Sequence, residues 1–305
     1  MTELFVEPTI AIVLTGMLVG AAGSLLGVFL VLRGNSMLSD AISHAILFGI
    51  AVVWLLTGAT SGPVQIVGAA LSGVLAVFLI ESVVRTRRVR QDAAIGLVFP
   101  ALFSLGVVLL NVFARDVHLD EHTVLLGQIG FVWLDQINVA GWVLPQSLAT
   151  LAVVLAIDGL FIALFYKALK LATFDPELAR TLGFMPTLLF YGLLSLVSGT
   201  AVAAFDAVGV VLFICFVIVP PAAAYLLTDR LAVMLFLAVA MAMASAPLGY
   251  VAAVALNVSI AGMMALATGG FLILALTLGP RHGLLARRAR RRRLADQPAD
   301  GASSA

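Results

Sequence analysis

Asp40 and His44 stand four residues apart in a stretch that runs Ser-Met-Leu-Ser-Asp-Ala-Ile-Ser-His-Ala-Ile-Leu-Phe-Gly from Ser36 to Gly49. On a helix that spacing puts both side chains on one face. The run continues into apolar sequence, where an unpaired carboxylate or imidazole is costly. A carboxylate oxygen and an imidazole nitrogen so placed can together hold one divalent cation. A plainer arrangement uses the same residues: Asp40, with Ser36 and Ser39, caps the start of a helix, and His44 satisfies the carboxylate. Spacing alone leaves both open.

The elements that must position this pair are membrane helices. Of 305 residues, 62% are hydrophobic and 11% charged, and the mean hydropathy is +1.15. No soluble domain has enough interior for that composition, so an all-α, polytopic integral membrane bundle is expected. A hydrocarbon layer of about 30 Å takes about twenty apolar residues per helix. Nine such runs are centred near residues 20, 48, 74, 103, 155, 195, 218, 243 and 270. The second begins in the polar cluster around Asp40, so eight spans plus one broken segment fit nearly as well. The acidic start, Met-Thr-Glu-Leu-Phe-Val-Glu, lacks the bases of a signal peptide, so the first run is expected to stay as a span. Cys215, the single cysteine, excludes an intramolecular disulfide and reads as a small packing residue.

Orientation follows from the bases, because loops rich in Lys and Arg stay in the cytoplasm. With nine spans and the N-terminus outside, Arg115 is the one base of seventeen on the outer side. The net charge of +1 therefore hides a strong segregation. Residues 1–286 read as one transmembrane domain, and 287–305 as a basic, disordered cytoplasmic tail. Beside a membrane, Arg287 to Arg293 mean a topology anchor or a contact with anionic lipid, and no nucleic-acid partner is expected.

Two connections carry further chemistry. The outer loop from Ala114 to about Val143 gathers Asp116, His118, Asp120, Glu121 and His122. It is either an ordinary solvated loop or an acidic mouth that attracts divalent cations, with His118 and Asp120 as its candidate groups. On the cytoplasmic side runs Thr-Phe-Asp-Pro-Glu-Leu-Ala-Arg-Thr-Leu-Gly, residues 173–183. Asp175 suits an N-cap, Pro176 the first helical position, Glu177 the positive helix end and Gly183 a left-handed C-terminal position. A helix of roughly two turns is expected, with Leu178 and Leu182 on one face. It either docks into a groove of another protein or packs on its own bundle. Further on, Pro220 and Pro221 interrupt an apolar run and are expected to kink or break its helix, beside a translocation path or as a structural bend.

What the chain lacks also narrows its chemistry. Neither lysine, Lys167 or Lys170, follows glycine or precedes Ser or Thr, so there is no P-loop. His-Glu-x-x-His and Gly-x-Ser-x-Gly are absent too, which argues against an intramembrane zinc protease or a serine hydrolase. No enzyme activity is expected, and any ATP must be bound by another subunit. Asp158 is the one clear mid-membrane carboxylate on which a self-sufficient ion-coupled carrier could rely.

Several ordered motifs resemble the permease subunits of manganese, zinc and iron ATP-binding-cassette importers. They are Leu-Arg-Gly from Leu32, Asp-Ala-Ile-Ser-His-Ala from Asp40, Asp-Ala-Ala-Ile-Gly from Asp92 and Phe-Asp-Pro-Glu from Phe174. Pro-Pro-Ala from Pro220, Tyr-Leu-Leu-Thr-Asp-Arg from Tyr225 and Pro-Arg-His-Gly-Leu from Pro280 complete the set. The resemblance covers nearly the whole chain and implies a permease bundle of the metal/cobalamin-importer type in the cytoplasmic membrane of a prokaryote. It makes Asp40 and His44 the metal ligands. It also makes the segment 174–183 the coupling helix to the ATPase, with Phe174, Asp175, Pro176, Glu177, Leu178 and Gly183 as its motif residues. The partners implied are an ATP-binding cassette subunit, an extracytoplasmic metal-binding protein and a second permease chain, identical or homologous. No permanently bound cofactor is implied, only the transported metal. His118 to Asp120 with Leu126 and Gly127 looks more like manganese members than zinc ones. Phe48 departs from the family's usual proline, and 257–262 lacks its Pro-Thr-Gly.

Overall fold

A computed structural model of the chain describes residues 7–58, 63–113, 127–139 and 142–279. Its helices are α1 (Pro8–Leu32), α2 (Met37–Thr57), α3 (Pro63–Arg85), α4 (Gln91–Phe113), α5 (Gln146–Phe174), the short α6 (Pro176–Thr181), α7 (Pro186–Leu227), α8 (Leu231–Leu256) and α9 (Ile260–Leu278). Nine stretches of the described residues are long and apolar enough to cross a membrane, because α7 supplies two, Pro186–Phe205 and Ala207–Leu227. This is a multi-pass membrane bundle, as the composition requires.

Alpha-7 has 42 residues, and as one straight rod it would reach about 63 Å, roughly twice the hydrocarbon layer. The chain resolves this at Gly209, whose φ of 78° and ψ of 166° fall where only glycine is at ease. Of the kink or break expected at Pro220 and Pro221, the break does not occur, since both prolines sit inside the helix and Gly209 alone has non-helical angles. Each proline removes one backbone donor, but the rest of the ladder carries the helix past them.

Alpha-1 lies at the centre. It is apolar all round, and a stripe of small residues, Gly16, Gly20, Gly23 and Gly27, admits its neighbours. A Cβ on Gly20 would stand 3.1 Å from the carbonyl oxygen of Ala242 in α8, and one on Gly27 would collide with the carbonyl of Val217 in α7. Such stripes suit membrane bundles, where lipid is as apolar as leucine and close backbone approach drives association.

Three contacts bring the turn after α1 together with ends of α3, α4 and α7. The Arg33 guanidinium lies 4.2 Å from the Phe190 ring centroid, Tyr191 Oη donates to Glu81 Oε2 at 2.7 Å, and Gln91 Nε2 donates to Asn35 Oδ1 at 2.7 Å. Burial holds the Arg33 pKa below its ordinary value, and the Glu81 carboxylate opposes that shift. Alpha-6 leads directly into α7, so it belongs to this same end of the bundle. In the described part of the long loop the chain forms a 3-10 turn (Ile129–Phe131) and a small antiparallel hairpin, β1 (Gln136–Val139) with β2 (Trp142–Pro145). The sequence reading anticipated only a loop there. His118, Asp120 and the tail from 287 lie outside the described residues.

Candidate metal site and coupling segment

Alpha-2 begins at Met37 with Ser36 as its N-cap residue, and no side chain caps it. Asp40 is therefore one turn inside the helix and cannot be its cap. Ser39, named with Ser36 for that task, instead donates its Oγ to the Ser36 carbonyl, and Ser43 Oγ donates to the Ser39 carbonyl, each at 2.7 Å. Asp40 and His44 remain partly open, with side chains 36% and 27% exposed. The carboxylate also lies within the first turn, where the positive helix end favours an anion.

Asp40 Oδ1 and His44 Nε2 are 3.4 Å apart. A charge-assisted hydrogen bond would draw the two atoms to about 2.7–2.9 Å. With metal–ligand arms of about 2.1 Å, the 3.4 Å separation subtends about 108° at an ion, close to a tetrahedral angle. That separation is compatible with both atoms binding one divalent cation. No group of three or more His, Cys, Asp or Glu side chains stands together among the described residues, so no third side chain of these types joins the pair there.

The imidazole is held from α4. Its ring stacks on Phe99 with centroids 5.3 Å apart and planes at 29°, and meets Phe103 edge-on at 5.7 Å and 87°. Sequence reading missed these two phenylalanines. Their four-residue spacing around Pro100 is a signal, but only the packing of α4 on α2 gives it meaning. Farther along, a Cβ on Gly106 would come within 2.9 Å of the Phe48 backbone nitrogen, so α4 lies directly on α2 there.

Asp158, the other membrane carboxylate singled out, stands apart from this pair. It is 1% exposed on α5, and its Oδ2 accepts a 2.8 Å hydrogen bond from Thr200 Oγ1 on α7.

The segment 174–183 folds as its residues dictate. Asp175 Oδ1 accepts from the Leu178 N–H at 2.9 Å, and Pro176 occupies the first helical position. The end is a Schellman motif: Gly183 has φ of 83°, its N–H reaches the Arg180 carbonyl at 3.0 Å, and the Phe184 N–H reaches Ala179 at 2.9 Å. The helix has six residues, shorter than the two turns expected. Ala179 is buried, while Phe174, Leu178 and Leu182 are 59%, 45% and 61% exposed.

A long apolar bundle thus carries a carboxylate–imidazole pair on one helix and a capped short helix with exposed apolar side chains at one end. Residues 6–279 match the ABC 3 transport family. The chain belongs to that family. Among similar proteins of this ABC 3 group, the manganese transport system membrane protein MntD of Bacillus subtilis is 44% identical over 280 residues, spanning 92% of this chain and 95% of the relative. The zinc transport system membrane protein TroD of Treponema pallidum is 47% identical over 279 residues, spanning 92% of this chain and 76% of its own. Among solved structures, PsaBC from Streptococcus pneumoniae in complex with Fab aligns with a TM-score of 0.76 at 28% identity, over 91% of this chain and 94% of that one.

Proposed function

We infer that this chain is the membrane-spanning permease subunit of an ATP-driven importer of divalent metal ions, with manganese as the cargo and zinc as the alternative. The observation that carries the reading is the 3.4 Å separation of Asp40 Oδ1 and His44 Nε2 on a membrane helix of an ABC 3 transport family member. A carboxylate and an imidazole suit manganese, zinc and iron alike, and the mixture of manganese and zinc names among the relatives supports the same pair of cargoes.

Two ligands do not complete a coordination shell. The pair on a second permease chain, identical or homologous, would face this one across a shared path and supply the remainder. The ion would arrive from an extracytoplasmic binding protein and leave as the site opens inward. Binding must select a dehydrated ion yet release it. The outer mouth with His118 and Asp120 would raise the local cation concentration.

Alpha-6 would be the contact with the ATP-binding subunit, which supplies the ATP site that this chain has no motif for. Phe174, Leu178 and Leu182 are the apolar surface offered, and Asp175, Pro176, Glu177 and Gly183 shape the helix that bears it. In this reading the α6 end, with its Lys and Arg residues, and the C-terminus would lie in the cytoplasm.

The test is metal accumulation in cells lacking this chain, with wild type and His44→Ala restored separately. Loss of manganese uptake that wild type rescues and His44→Ala does not is the expected result. Loss of zinc alone would keep the mechanism and change the cargo. Unchanged manganese, zinc and iron, in a strain without a redundant importer, would overturn the reading.

A further inference from the structure

We propose that Phe99 and Phe103 are positioning residues that lock the His44 imidazole in its chelating orientation and thereby set which cations the site accepts. The proposal rests on the reading of Asp40 and His44 as the metal-carrying pair. Phe99 covers one face of the imidazole at 5.3 Å, and Phe103 meets the ring nearly perpendicular at 5.7 Å. The two phenylalanines are four apart on α4 and so share one face. A ring stacked on one aromatic neighbour and met edge-on by a second loses the broad rotation that an imidazole otherwise keeps about its second side-chain torsion. Here the retained orientation directs Nε2 at Asp40 Oδ1.

The clamp is itself anchored. Gly106 admits the Phe48 backbone so closely that any side chain would collide, which fixes the spacing of α4 and α2 two turns from Phe99. The same rings offer the ion no oxygen on that side. Magnesium gives up water reluctantly and prefers oxygen ligands, whereas manganese, iron and zinc accept an imidazole nitrogen. A fixed imidazole therefore makes nitrogen ligation obligatory, and a loose one lets Asp40 act with water alone.

The experiment uses the complete transporter, permease with its ATPase and binding protein, in proteoliposomes. Manganese uptake and its competition by magnesium are measured for wild type, Phe99→Leu, Phe103→Leu, Phe99→Tyr and His44→Ala. Phe236→Leu, on the exposed face of α8, serves as the control. Losing one aromatic partner should raise the KM for manganese about two- to tenfold with kcat unchanged, and should lower the magnesium needed to compete. Phe99→Tyr keeps the ring and should retain wild-type values. Wild-type behaviour in both leucine variants, with His44→Ala inactive, would overturn the clamp and leave the metal pair standing. Equal losses in Phe99→Leu and Phe99→Tyr would also overturn it, because volume and not the aromatic stack would then matter. An active His44→Ala would reject the metal pair itself.

Discussion

Tyr191 donates a 2.7 Å hydrogen bond to the same Glu81 oxygen, Oε2, that Arg85 approaches at 3.3 Å. The two partners are not equal. Arg85 has a side chain 72% exposed, where an ion pair is screened and contributes little. The phenol joins α7 to α3 at a shorter distance. Tyr191→Phe should therefore destabilise the chain by about 1 kcal/mol, and Arg85→Ala by less than about 0.5 kcal/mol. Thermal unfolding of the purified protein in detergent checks this, and the reverse order would make Arg85 the main partner of Glu81.

Asp175 caps a helix of only six residues, so the cap is a large share of what keeps α6 formed. Asp175→Ala should cost about 1 kcal/mol, seen as amide exchange at Leu178 faster by about fivefold. Asp175→Ser retains a capping oxygen and should restore most of the protection. If α6 is the coupling helix, ATP-driven transport should fall with the Ala variant and recover with Ser.

Gly27 and Gly159 are both helical glycines with opposite surroundings. A Cβ on Gly27 meets the Val217 carbonyl, whereas a Cβ on Gly159 meets nothing within 4 Å. Gly27→Ala forces two backbones apart and should lose about 3 kcal/mol. Gly159→Ala should be neutral or stabilise by up to about 1 kcal/mol, as helix propensity alone predicts. The fraction of monodisperse protein after heating ranks the two.

Asp158 offers a test of the ion-coupled alternative. Asparagine keeps an oxygen that Thr200 Oγ1 can donate to, so Asp158→Asn should fold and transport normally if Asp158 is structural. Asp158→Leu strands the Thr200 hydroxyl, 1% exposed, at a cost of about 1–3 kcal/mol, and adding Thr200→Val should recover part of it. Loss of transport in a well-folded Asp158→Asn protein, or transport by the permease without an ATPase, would favour the carrier.

Local chemistry was legible in the sequence because local rules govern it. Runs of apolar residues gave the spans, since bilayer thickness fixes helix length. Asp175, Pro176 and Gly183 marked both ends of α6, since capping depends on neighbours a few residues away. The i,i+4 spacing put Asp40 and His44 on one face, but it left open whether Asp40 was a cap. The helix start at Met37 removed that option.

The tertiary structure decided which helix faces meet. The membrane helices are apolar on every side, so no stripe distinguishes a surface packed on protein from one facing lipid. Composition therefore could not disclose that Phe99 and Phe103 enclose His44, that Thr200 engages Asp158, or that Tyr191 finds Glu81 across 110 residues. The apolar runs centred near 195 and 218 already implied a boundary between two spans within α7, but not the residue at which the backbone leaves the helix. The non-helical angles fall at Gly209, because glycine takes a positive φ at little cost, while Pro220 and Pro221 remain inside the second half of the helix.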